Sequence, residues 1–183
     1  MVCTNDKASS VSIKKGHTVN IFFLDACPTL AATMQCDAHV NKMRVECGQM
    51  LAAVHYNHTY SLLSDAPGYP KSVLSHPCTL WASVNQTNRR WLYDHMCALI
   101  NEHTYRFGTK TTACHRYIDL FATAPASMPA APLTIPPLAM PMEYWSSSAV
   151  GSYRQYYRHN KAKTLPSFTY TRRNKPEWLN NVE

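Results

Sequence analysis

Long apolar runs are missing from this 183-residue chain: none approaches the roughly 18 to 20 residues that a membrane span requires, so no membrane partner is expected. Glycine is scarce, with five residues, and no tandem repeat occurs, which argues against a solenoid or a many-turned β fold. The first eighteen residues (MVCTNDKASSVSIKKGHT) lack the apolar middle and small-residue cleavage site of a secretory signal. The seven cysteines include no CxxC pair, and an odd number cannot close into an internal disulfide set. Reduced, mostly buried thiols and a cytoplasmic location are therefore expected. Walker phosphate loops, GxGxxG and GxSxG are all absent, which removes support for nucleotide hydrolysis and serine-hydrolase chemistry. Cys36 with His39, His76 with Cys78, and Cys114 with His115 are isolated pairs, short of the three or four ligands of a zinc site. Neither a metal nor a cofactor is expected.

Apolar residues make up 45% of the chain and charged ones 16%, a globular composition of one-domain length. The net charge of +7 has a location. Between Tyr144 and Pro176 stand seven cations and no carboxylate: Arg154, Arg158, Lys161, Lys163, Arg172, Arg173 and Lys175. Tyr144, Trp145, Tyr153, Tyr156, Tyr157, Phe168 and Tyr170 are interleaved with them. Cations for phosphates and flat rings for bases or sugars point to a nucleic-acid groove, with duplex DNA as the partner. The residues expected to line it are Arg154, Tyr156, Tyr157, Arg158, Lys161, Arg172 and Arg173. A solvated basic tail is the plainer alternative.

The expected fold is mainly α: a compact single-domain helical bundle with a short N-terminal strand-like segment and a proline-rich connector. Residues 1–18 read as an extension, and residues 19–183 as one helical domain with a basic aromatic C-terminal segment. Val19 to Leu24 is β-branched and aromatic, a short buried strand or an extended lead-in. Asp25 and Pro28 mark a helix start, and the helical pattern runs to about Tyr56 with a break near Gln35. Val40, Met43, Cys47, Met50, Leu51 and Val54 fall in one sector, a core face. Leu92, Met96, Leu99, Ile100 and Phe107 repeat the pattern over Asn88–Phe107, and Gly108 is placed to end that helix. A shorter helix is expected over Thr112–Phe121. Six of the twelve prolines lie in residues 122–141, an extended connector whose Leu133, Ile135, Leu138 and Met140 should rest on the body. Ser148–Lys161 reads as a last basic helix.

His39, Lys42, Glu46 and Gln49 are spaced three, four and three apart, which stacks them within about 80° on one flank of the first long helix. A half-buried row of base, amine and carboxylate is a means of shifting pKa values and moving protons. An i,i+4 Lys42–Glu46 ion pair beside a core histidine is the structural alternative. His95, Glu102 and Arg106 form a comparable flank on the second long helix, and the two flanks facing each other would enclose a polar pocket.

Asp37, His39 and Glu46 form an Asp-x-His pattern with a Glu seven residues beyond the His. Together with Ser152-Tyr-Arg-Gln-Tyr-Tyr-Arg158 near the C-terminus, they resemble the phage pyrimidine-dimer DNA glycosylases of the endonuclease V type, a small all-helical family. Most of the chain also resembles a group of tailed-phage proteins sharing DxHxxKM, WLY, PPLAMP and SYRxYY, here Asp37 to Met43, Trp91 to Tyr93, Pro136 to Pro141 and Ser152 to Tyr157. In the glycosylase family the amine exposed by Met removal attacks the sugar and forms an imine, and a carboxylate stabilises the intermediate. The resemblance gives Glu46 the carboxylate role and His39 a supporting one, counts Asp37 with the catalytic set, and implies the host cell as location. An eighteen-residue extension precedes the family-like start at Val19-Asn20, so three sources of the amine stay open: a start at Val19, cleavage of the extension, or Lys42. The function this implies is a DNA repair glycosylase and AP lyase acting on damaged pyrimidines. A phage DNA-base modifying enzyme and a non-catalytic nucleic-acid-binding accessory protein are the alternatives.

Overall fold

Pro28 sits in the first turn of the first helix, where its missing N–H costs nothing, and α1 runs over Pro28–Thr33. This computed structural model describes residues 20–108 and 111–180; the expected extension, residues 1–18, lies outside the described residues, as does Val19. The chain breaks at Met34 to Cys36 and resumes as α2, Asp37–Thr59, so the interruption expected near Gln35 is present. Two short helices follow, α3 over Lys71–Leu74 and α4 over Pro77–Ser83. The second long helix, α5, spans Gln86–Phe107 and is capped by the Asn85 side chain, which accepts from the Asn88 N–H at 2.8 Å. Gly108 ends it at φ 69, a left-handed position suited to glycine. A 3-10 turn leads into α6, Arg116–Leu120. After the connector come α7, Ala149–Tyr156, a π turn over Tyr157–Lys161, α8, Ala162–Thr164, and α9, Glu177–Asn180.

The fold is mainly α, with the core where α2 packs on α5, flanked by α1 on α5 and α4 on α2. Val40, Met43, Cys47, Met50, Leu51 and Val54 are all buried, as are Leu92, Met96, Leu99 and Ile100. Phe107 departs from its expected core place: it is 40% exposed, with its ring against His103. Gly48 lets Tyr117 come close, for a Cβ there would stand 3.0 Å from the Tyr117 ring. The six cysteines among the described residues are free thiols, and no helix among those residues is long and apolar enough to cross a membrane.

No strand forms among the described residues; Asn20 to Leu24 is a buried, non-helical lead-in bent at Phe22. Of the connector's expected apolar contacts, Leu138 and Met140 are half-buried, Met140 against the core, whereas Leu133 and Ile135 are exposed; polar contacts hold the rest. Asn88 exchanges hydrogen bonds with Thr134, donating to its hydroxyl at 2.8 Å and accepting from its N–H at 2.9 Å. Trp81 donates to the Thr134 carbonyl, Asn85 to Pro132 and Thr87 to Ala131. These bonds satisfy backbone groups that proline-rich chain cannot pair within itself.

Candidate active site

The lead-in bends sharply at Phe22, whose φ of 42° is left-handed and costs a side chain of this kind about 1 to 2 kcal/mol. Its N–H is held by Asn20 Oδ1 at 2.8 Å, and its carbonyl accepts from Leu24 at 2.7 Å. The bend lays the Phe22 ring flat on the imidazole of His39, centroids 4.2 Å apart. His39 is buried, with Nδ1 2.9 Å from the Tyr157 hydroxyl, and that hydroxyl also accepts from the Cys36 N–H at 2.7 Å. Burial first, then the ammonium groups of Lys161 and Lys42, pull the His39 pKa down to about 3, so the ring is neutral at physiological pH.

One turn along, Lys42 Nζ stands 2.9 Å from Glu46 Oε1; Lys42 is half exposed, whereas the Glu46 side chain retains only 8% exposure. Glu46 Oε2 is buried and has no hydrogen-bond partner among the described residues. A buried carboxylate oxygen without a donor is costly, of order 1 to 3 kcal/mol or more, and calls for a donor from water or a ligand group. Gln49, the last member of the row, donates instead to the Gly68 carbonyl at 2.9 Å and ties down the loop after α2.

The rim is aromatic and basic. Tyr156 faces Phe22 and Tyr144, and Lys161 Nζ lies 4.7 Å from its ring centre. Positions five apart lie about 140° apart on a regular α-helix; the wider π turn at Tyr157–Lys161 brings them onto one side. Arg158, in the same π turn, is half-buried. Tyr157 is fully buried, which corrects its expected role as a surface ring for DNA.

The side chains of the second flank are engaged by internal partners among the described residues. His95 is wholly buried, with Nδ1 2.9 Å from the Pro28 carbonyl and Nε2 3.0 Å from Gln35 Nε2; burial lowers its pKa to about 4. It ties α1 and the helix break to α5. Arg106, also buried, donates to Glu102 Oε1 at 2.7 Å, Asp37 Oδ1 at 3.0 Å and the Thr33 carbonyl at 2.9 Å. Glu102 accepts two further bonds from Arg173, at 2.8 and 2.7 Å. Burial alone would raise the Glu102 carboxyl, but Arg173 and Arg106 outweigh it and hold the pKa low. Asp37 behaves likewise: burial is opposed by donors from Thr169, Thr171 and Arg106, and the net shift is downward. Asp37 is thus a clamp between α2, α5 and the C-terminal segment. Glu102 and Arg173 also border a separate cavity of about 500 Å³ between α1 and α5, none of whose lining residues belongs to α2.

Of the expected groove cations, Arg154 donates to the Leu24 carbonyl at 2.8 Å and pairs with Asp25 at 3.3 Å, and Arg172 donates to the Tyr105 carbonyl at 3.0 Å. Arg158 and Lys161 form no ion pair among the described residues. The structure therefore brings His39, Tyr156 and Lys161 together around Phe22, with Lys42 and its partner Glu46 following along α2, and ties Asp37, His95, Glu102, Arg106 and Arg173 internally. Sequence reasoning missed Phe22 as a member of the site, since nothing in the sequence announces a left-handed phenylalanine. No protein family, curated protein or solved structure matches this chain.

Proposed function

We propose that the protein is an imine-forming DNA glycosylase with associated lyase action on damaged pyrimidines, in which Lys42 supplies the amine and Glu46 the carboxylate. The observation carrying this reading is the pairing of a half-exposed amine, 2.9 Å away, with a buried carboxylate whose second oxygen is unpartnered among the described residues. Glu46 Oε1 is placed to take a proton from the Lys42 ammonium. The freed amine attacks C1′, and the base departs with the electron pair of its bond to C1′ and gains a proton. The resulting aminium loses a proton; its nitrogen pair then opens the C1′–O4′ bond as O4′ is protonated, giving a protonated imine. Glu46 stabilises that cation in a site of low polarity. Loss of a C2′ proton then expels the 3′ phosphate. Lys161 and Arg158, which form no ion pair among the described residues, would meet phosphates.

Borohydride tests this reading, because hydride adds to the imine carbon and fixes the protein to DNA. The expected result is a covalent adduct on UV-irradiated or abasic duplex, mapped to Lys42. Attachment at an N-terminal amine would overturn the Lys42 assignment and keep the reaction class. No adduct on dimer-containing, abasic or modified-base duplex would overturn the reading. The accessory-protein alternative draws on the i,i+4 spacing of Lys42 and Glu46, a common helix ion pair.

A further inference from the structure

The Tyr157 hydroxyl meets two nitrogens at once, the Cys36 amide at 2.7 Å and His39 Nδ1 at 2.9 Å. The amide can only donate, so it occupies an acceptor position on the phenol oxygen and leaves the phenol proton to be placed. A phenol is a better donor than acceptor, and of the acceptors near it, the imidazole nitrogen outranks the Cys36 sulfur and the Tyr170 phenol oxygen. We infer that Tyr157 donates to Nδ1 and is a positioning residue that fixes His39 as the Nε2–H tautomer, a permanent hydrogen-bond donor toward a substrate oxygen and not a proton shuttle. The inference rests on the proposed site being the working one.

Three features hold the ring in this state. Phe22 stacks on one face and Tyr157 meets it edge-on, so the ring cannot flip without displacing a buried aromatic. The charged groups set against it are Lys42 on its own helix and Lys161 from the π turn, both of which oppose protonation. The neighbouring Cys36 thiol and Tyr157 phenol are both held in their neutral forms by burial. Nε2 makes no hydrogen bond among the described residues, so its proton is free to meet a ligand. A neutral imidazole that only donates polarises an oxygen without changing its own charge, the same task that other enzymes assign to a neutral histidine.

The test is long-range proton–nitrogen NMR of the full chain labelled at histidine, which reads the tautomer directly. For His39 the expected result is one neutral ring with a protonated Nε2 and no titration between pH 5 and 8. A protonated Nδ1, or a titration near the ordinary value of 6.5, would overturn the inference. The wild-type spectrum decides this alone. In Tyr157→Phe the proton should spread over both nitrogens, and an unchanged tautomer in the folded variant would remove Tyr157 from the role. The two proposals fail separately: an Nε2–H ring without any trapped DNA adduct would refute the glycosylase reading only, and an Nδ1–H ring with an adduct would refute this one only.

Discussion

Arg106, at the end of α5 with no exposed side-chain surface, donates to Asp37 at the start of α2 across 3.0 Å. The same guanidinium holds Glu102 and the Thr33 carbonyl, so three chain segments meet at one buried cation. Arg106→Met keeps bulk and helix propensity but leaves the two carboxylates without their shared donor. The expected loss is about 3 to 5 kcal/mol in urea denaturation, because removing one member of a buried ion pair strands the other. Arg173→Ala should cost about 1 kcal/mol, since that residue is 37% exposed and its attraction to Glu102 is screened. Equal losses would show that the network is not organised around Arg106.

The C-terminal cations divide into two classes that salt-dependent DNA binding can separate. Arg154 and Arg173 are engaged by Asp25 and Glu102, so their replacement with Ala should lower stability and leave the salt slope nearly unchanged. Lys161, Lys163 and Lys175 form no ion pair among the described residues, and each replacement should reduce the slope by about one unit per lost phosphate contact. A slope carried by Arg154 and Arg173 would mean that their internal partners are exchanged on binding.

The contrast shows which features the sequence makes legible. The faces of α2 and α5, the break near Gln35 and the stop at Gly108 follow from periodicity and caps, which are local properties. The Lys42–Glu46 pair was equally legible, because a spacing of four fixes its geometry. Arg154 with Asp25 and Arg173 with Glu102 are 129 and 71 residues apart, and no local rule links such residues. A charge count over Tyr144–Pro176 therefore saw cations without seeing their partners. Helices α3 and α4 are too short to show a period, and Phe22 enters the site through a backbone angle that its side chain disfavours.

Two buried histidines make stability fall as the solution is acidified. His39 and His95 have folded pKa values of about 3 and about 4 against an ordinary 6.5, so the unfolded chain binds more protons between those limits. Their neutral burial is fully tolerated above pH 6.5 and opposed as the pH falls toward the folded values. Between pH 6.5 and 5 each should remove about 2 kcal/mol from the free energy of unfolding. Urea midpoints at pH 7 and pH 5 measure this sum together with contributions of the same sign from His55, His76 and His103, and His95→Gln should remove up to about half of the pH dependence. Equal midpoints at the two pH values would mean that both rings stay accessible to protons in the folded chain.

Glu46→Gln separates chemistry from architecture at the centre of the site. The substitution keeps size and helix propensity and removes the charge. Its structural cost should stay within about 1 kcal/mol, because the ion pair it breaks joins a half-exposed lysine over one helix turn. The carboxylate also carries a buried oxygen without a partner, so losing the charge relieves a desolvation cost that opposes the loss of the pair. Chemistry should respond differently. An amide cannot take the Lys42 proton or neutralise an imine cation, so borohydride-trapped adduct should form at least about a hundredfold more slowly at matched DNA occupancy. Lys42→Arg provides the counterpart: it retains a cation for Glu46 and the fold, but its guanidinium stays protonated and cannot attack a sugar. If both variants fold like the wild type and both still trap DNA at the wild-type rate, Lys42 and Glu46 are a helix ion pair and no more.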